Sequence, residues 1–224
     1  MKIVKDLEQR SPEWFEARKG VYTASQFGKW LIDPNKNETN RKAKESTICA
    51  MLGDLSGISE PPGFDSWEMK RGRDLEPEAR EAYETIKDVK VSEVGFILHD
   101  RGRFGCSPDG LIYDRAEDPN RTGMHYGLEL KCPVPKTHIK YLREGVVPDS
   151  YLCQVHGSLA VTGLERWDFM SYCPELPPLL ITVQRDDFTE RLLEGLMELS
   201  DAYDVAFQEL KEMWEKFNSG KEDA

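Results

Sequence analysis

The sequence predicts an α/β fold: a central mixed β-sheet flanked by helices and closed by a long C-terminal amphipathic helix. Three observations carry that prediction. Six short runs (91–98, 103–106, 111–113, 127–131, 167–172 and 179–183) read as strands, and stretches whose apolar residues recur at helical spacing lie before, among and after them. Extended and helical segments interleave along the chain, an order that places one sheet between helical layers. From Leu192 onward, Leu196, Leu199, Tyr203, Phe207, Leu210, Trp214 and Phe217 mark one stripe of a helix whose other faces are acidic. A chain of 224 residues, 39% hydrophobic with five Trp, has enough apolar mass for one generous core. The expected division is a core over 1–187 and a helix with tail over 188–224.

The elements follow in order from local signals. Ser11-Pro12-Glu13 before Trp14-Phe15 starts a helix, with Ser as cap, Pro in the first turn and an acid beside the N-terminal dipole. That helix is expected to reach Gly20. After an extended link at Val21-Tyr22, Thr23 or Ser25 caps a second helix through Phe27, Trp30 and Leu31. Ile48, Met51, Leu52 and Leu55 place a third over about 40–54, and Pro61-Pro62-Gly63 marks an irregular loop over 57–65. Leu75, Ala79, Ala82, Tyr83 and Ile86 share one face of a helical pattern that resumes at Ser66. Pro77 within it predicts a kink or a fresh start. A polar loop spans 114–126, a short helix 136–144 ends at Gly145, and Asp149 or Ser150 caps a helix carrying Leu152, Val155, Leu159 and Ala160.

Composition narrows the function. No run approaches a membrane span, and Met1-Lys2-Ile3-Val4-Lys5 lacks a signal-peptide pattern, so a cytoplasmic protein without membrane contact is expected. The five cysteines are odd in number, with no Cys-x-x-Cys pair, and read as reduced packing residues. None of the four histidines makes a metal-ligand spacing or partners a serine motif. Net charge is −11, yet residues 186–224 hold 12 acids against 4 bases, so the rest is nearly balanced. Basic clusters at Arg41-Lys42-Lys44, Lys70-Arg71-Arg73 and Lys136-Lys140-Arg143 are either solvated faces or contacts to a polyanion that meets a restricted channel.

The chemistry concentrates in two stretches, Cys106-Ser107-Pro108-Asp109-Gly110 and Gly127-Leu128-Glu129-Leu130-Lys131-Cys132-Pro133. In a strand, Leu128 and Leu130 pack on one side while Glu129 and Lys131 project together from the other. Asp109 sits in a Ser-Pro-Asp-Gly turn leading into 111–113. If those strands pair, two carboxylates and one ammonium meet. Carboxylate oxygens suit Mg²⁺ or Mn²⁺, which activate water and stabilise charge on a phosphoryl group. A surface turn beside an edge-strand ion pair would leave the same residue pattern.

Trp14-x-x-x-Arg18-x-Gly20-x-x-Thr23-Ala24-Ser25, Gly72-x-x-x-Glu76, the two stretches above and Gln154 occur in an order that resembles the lambda exonuclease family, the YqaJ-type viral recombinases among the PD-(D/E)xK nucleases with a restriction-endonuclease-like fold. The resemblance covers residues 11–160. It implies a Mg²⁺-dependent exonuclease that degrades one strand of double-stranded DNA from a 5′-phosphorylated end to mononucleotides, for phage-type recombination by single-strand annealing. Asp109, Glu129, Glu76 and the Leu130 carbonyl would hold two Mg²⁺ (or Mn²⁺) ions, and Lys131 would position the water. Arg18, Ser25, Ser107 and Gln154 would form the 5′-phosphate pocket. Partners implied are DNA ends, two further copies in a ring-shaped homotrimer, and a single-strand annealing protein, in a bacterial host's cytoplasm with phage or prophage origin. An endonuclease or nickase of the same fold, or a non-catalytic DNA-end-binding module, are the alternatives.

Overall fold

The computed structural model describes residues 1–4, 7–56, 66–113 and 123–222. Eight strands among them form two four-stranded mixed sheets. The first contains β1 (Lys2–Val4), β2 (Tyr22–Thr23), β3 (Phe96–Leu98) and β4 (Phe104–Cys106) in the order β1-β3-β4-β2, with only β2 and β4 parallel. The second contains β5 (Gly110–Tyr113), β6 (Met124–Lys131), β7 (Arg166–Ser171) and β8 (Leu179–Gln184) in sequence order, with only β6 and β7 parallel. The strands therefore divide between two sheets where one was expected. Ser107-Pro108-Asp109 is the join, and Pro108, lacking an N–H, cannot extend a ladder across it.

The parallel β6–β7 connection carries α4 (Pro135–Glu144) and α5 (Asp149–Thr162). On one face of the second sheet, Trp167 and Phe169 pack with Val155 and Leu159 of α5 and with Leu192, Leu196 and Leu199 of α6 (Asp187–Glu222). On the other face, Leu128, Leu130, Ile112 and Met170 meet Ala79 and Tyr83 of α3 (Trp67–Lys87). β6 is thus covered on both sides, which is why its central residues are buried irrespective of alternation. α6 buries its stripe through Tyr203, whereas Leu210, Met213 and Trp214 beyond it are exposed. Close approach at the start of α6 depends on Gly195, where a Cβ would lie 1.7 Å from the Leu31 carbonyl oxygen.

Several local expectations change. α1 (Pro12–Ala17) is capped by Ser11, whose hydroxyl accepts from Trp14 N–H at 3.1 Å, but it ends at Arg18, short of Gly20. The helix expected over 23–31 is instead two 3₁₀ turns, Ala24–Gln26 and Lys29–Ile32, separated by extended backbone at Phe27 and Gly28. Tyr22, Phe27 and Trp30 pack their rings together there, a tertiary gain that outweighs one more helical turn. α2 (Glu38–Asp54) starts at the Asn37 cap, and α3 runs as one helix through Pro77, with no fresh start. The strand expected over 91–98 contracts to β3 plus a bridge between Ser92 and Leu111. Residues 57–65 and 114–122 of the two expected loops lie outside the described residues. All five cysteines are free and four are buried. No helix among the described residues is long and apolar enough to cross a membrane.

Candidate active site

The strand register brings the two motifs together. Gly110 of β5 pairs with Leu128 of β6, which sets Asp109 beside the Glu129–Lys131 segment. Asp109 N–H donates to the Leu128 carbonyl at 3.2 Å, and its carboxylate accepts from Leu130 N–H at 2.6 Å. Gly110 is required by this approach, because a Cβ there would lie 2.1 Å from a Val91 methyl. Leu128 and Leu130 face the α3 layer, while Glu129, 1% exposed, faces α5. There its Oε1 accepts from Lys131 Nζ and, at 2.5 Å, from the Gln154 amide. On the same helix, Gly157 packs directly on Phe27 of the segment that follows β2, where a Cβ would lie 2.3 Å from the ring. The Lys131 ammonium also lies 5.0 Å from the centre of the Tyr151 ring.

This cluster is short of positive charge. Burial and then the charge of Glu129 push the Asp109 carboxyl above its usual range, and burial raises Glu129 likewise, with Glu76 adding to both. Burial pulls Lys131 down, but Glu129 and Asp109 outweigh it and hold the ammonium above its ordinary value. One lysine therefore faces two buried carboxylates. Their hard oxygens fit Mg²⁺ or Mn²⁺, and a divalent ion would offset the cost of burying both carboxylates and the charge of Glu129 on Asp109. Asp109 and Glu129 are the side chains that would hold it. Glu76, on α3, pairs with Arg10 at 3.1 Å, and among the described residues no three His, Cys, Asp or Glu side chains cluster closely enough to hold a metal. Backbone carbonyls such as that of Leu130 and water would complete such a shell.

A second polar centre adjoins the first. Arg18, at the end of α1, stacks 3.8 Å above the Trp14 ring and donates to Ser107 Oγ at 2.8 Å and to Thr23 Oγ1 at 3.0 Å. Trp14 Nε1 donates to Gly95 O at 2.8 Å and to the same Ser107 oxygen at 3.2 Å. Burial lowers the Arg18 guanidinium to about 10. Among the described residues it forms no ion pair with a carboxylate, so a half-buried cation held by two hydroxyls stands open to an anion. Ser107 precedes Asp109 by two residues, which couples this centre to the carboxylates.

The structure thus brings together Asp109, Glu129, Lys131 and Gln154, and separately Arg18 and Ser107. Ser25 is exposed and reaches Arg18 only through Thr23, whose hydroxyl lies 3.5 Å from its own. Gln154 contacts Glu129 and not Arg18. Two residues given no place in the site from sequence join the picture. Thr23, expected only as a helix cap and a residue of the family pattern, is a direct hydroxyl partner of Arg18. Arg10 engages Glu76 across 66 positions, and nothing local signals it.

The family described as YqaJ-like viral recombinase domain matches residues 13–165. An alkaline exonuclease, LHK-Exo from Laribacter hongkongensis, is 30% identical over 91% of this chain and 100% of its own, with a TM-score of 0.66. The structure of LHK-Exo in complex with dAMP gives the same identity and coverage with a TM-score of 0.64. A phage-related exonuclease from Haemophilus somnus 129PT, at 15% identity over 85% of this chain and 96% of its own, shares the fold with a TM-score of 0.59. No curated protein matches in sequence.

Proposed function

The chain belongs to the YqaJ-like viral recombinases of the lambda exonuclease family, and on that premise we propose a metal-dependent 5′→3′ exonuclease acting on double-stranded DNA. Family membership makes it a nuclease of recombination. The finer reading rests on one observation: an arginine with no carboxylate partner among the described residues, held by Ser107, which stands two residues before Asp109 of the buried carboxylate pair.

Each residue has a task in that reading. Asp109 and Glu129 would hold Mg²⁺, which would supply a more acidic bound water and polarisation of the scissile phosphate. Lys131, kept charged by its neighbours, orients the attacking water and offsets charge gathering on phosphorus. Gln154, which donates to Oε1, fixes the Glu129 carboxylate in place. Arg18, steadied by Trp14, Thr23 and Ser107, binds the terminal 5′-phosphate, with Ser25 at its rim. A guanidinium suits that dianion because its N–H groups spread over several oxygens. Fixing the terminal phosphate at one centre and the scissile phosphate at the other selects the bond one nucleotide inward, and such positioning supplies much of the rate. The family likeness extends the proposal to a homotrimer around DNA and to a single-strand annealing partner.

The test is digestion of linear and circular duplexes, bearing 5′-phosphate or 5′-hydroxyl ends, with and without Mg²⁺, followed by sizing of products. Mononucleotides from phosphorylated linear DNA in Mg²⁺ alone are expected. Cleavage of closed circles would replace the proposal with an endonuclease.

A further inference from the structure

Along α6 the apolar positions step by four and three residues without a break from Leu192 to Phe217, the a and d seam of a coiled coil. Through Tyr203 that seam is buried in the core. Beyond Phe207 the helix leaves the core, and every residue from Gln208 to Ser219 is exposed. The seam continues there as Leu210, Met213 and Phe217, 47%, 64% and 54% exposed, with Trp214 at 64% beside it. A lone helix of this length is marginal in water unless packing of an apolar face supports it. A contiguous stripe of large apolar side chains on such a helix calls for a cover. α6 lies wholly beyond the residues 13–165 that match the family, so the family pattern does not account for its tail.

The residues flanking the seam identify the cover. With Leu210 and Phe217 at a and Ala206 and Met213 at d, Glu209 and Lys216 take the g positions, and Phe207 and Trp214 the e positions. Glu212 and Glu215 fall at c and f, away from the seam, where they stay in water. Laid antiparallel on a second copy of itself, the tail sets g against g and e against e. Glu209 of each copy then reaches Lys216 of the other, Phe207 faces Trp214, and Leu210 packs on Met213. A parallel pairing would set Glu209 against Trp214 and gain no ion pair. Antiparallel packing also keeps the two cores at opposite ends of the pair. We propose that the projecting half of α6 is a two-fold interface that binds the same helix of a second copy of this chain, with two Glu209–Lys216 ion pairs fixing its register. The contact is isologous, so it stops at two units and builds no filament. It goes beyond the exonuclease reading and is separate from the ring of three: it joins two units, whether each unit is one chain or a ring.

The test is sedimentation equilibrium of the full chain over a range of concentrations, for wild type, Trp214→Ser/Phe217→Ser, Glu209→Lys, Lys216→Glu, and an equimolar mixture of the last two. All four positions are exposed, so the near-ultraviolet circular dichroism of the core is expected to be retained in every variant. Wild type should reach twice the mass of Trp214→Ser/Phe217→Ser, a ratio that reads this contact alone. Glu209→Lys and Lys216→Glu should each weaken the doubling about tenfold, since two exposed ion pairs become two repulsions. Their mixture should recover wild-type association, because each charge then meets its opposite. Equal masses for wild type and Trp214→Ser/Phe217→Ser would overturn the interface and leave the stripe to a different protein. Association in the mixture no stronger than in either variant alone would overturn the antiparallel register. A ring of three whose mass no tail variant alters would keep the assembly proposed above and discard this contact.

Discussion

Asp168 and Glu129 sit on neighbouring parallel strands, Asp168 opposite Leu128, and both are shut away from solvent. Their electrostatics differ in sign. Burial would raise Asp168, yet Arg166 at 3.0 and 2.7 Å, Tyr83 at 2.8 Å and Thr182 at 2.8 Å hold it below the ordinary carboxylate range, with Lys87 3.5 Å away. Glu129 shares one lysine with Asp109, and both are raised. A buried carboxylate whose lone pairs and charge are fully met is a structural pin; here it fastens α3 to the sheet. Two buried carboxylates that share one ammonium leave charge for a further cation to meet. Burial alone does not distinguish the two cases. The partner inventory does.

The largest effect expected from breaking this contrast is on catalysis. Glu129→Gln should reduce nucleotide release by at least about 10³-fold, the scale of losing a principal electrostatic stabiliser, while duplex-end binding persists. Its melting temperature should hold or rise, because one of two crowded charges is gone; a large drop would mean Glu129 is a structural pin like Asp168. Lys131→Ala should abolish turnover similarly, and unchanged release would remove it from the mechanism.

Asp168→Ala should cost about 3 kcal/mol in a denaturant titration, the low end for breaking a buried pair, because Arg166 and Lys87 are partly exposed and can rehydrate. The enzyme that remains folded should keep its preference for phosphorylated ends. Arg18→Ala should lower the ratio of rates on 5′-phosphate and 5′-hydroxyl ends by about tenfold or more, as loss of a charge-assisted contact implies. An unchanged ratio would exclude Arg18 from the pocket. The smallest change is Tyr83→Phe, which removes one hydrogen bond to Asp168 at about 1 to 2 kcal/mol, with activity on phosphorylated ends retained.

The carboxylate half of the candidate site was legible because it depends on local rules. Alternation in 127–131 puts Glu129 and Lys131 on one side, and the Ser-Pro-Asp-Gly turn leads Asp109 into the strand that pairs with them. The arginine centre was legible only through the family pattern, since Arg18 meets Ser107 across 89 positions. Gln154 was assigned to that pocket, whereas it touches Glu129; a helical position fixes which face a side chain takes, and not which of two nearby polar groups it meets. The helix expected near Thr23–Leu31 failed because helix periodicity is indifferent to the ring packing of Tyr22, Phe27 and Trp30 that dictates the backbone there. Residues 2–4 were too few to register as a strand, and β1 exists because β3 offers it an edge.

By itself, the sequence determined most of the elements, the amphipathic faces, the charge asymmetry and the shared side of Glu129 and Lys131, all of which follow from short-range periodicity and turn chemistry; the pairing of β5 with β6 then brought Asp109 to them. The tertiary structure alone decided the splitting into two sheets, the Arg10–Glu76 pair and the charge shortfall at Glu129. Those depend on which distant groups share a buried volume, and the field at a carboxylate is set by neighbours in space.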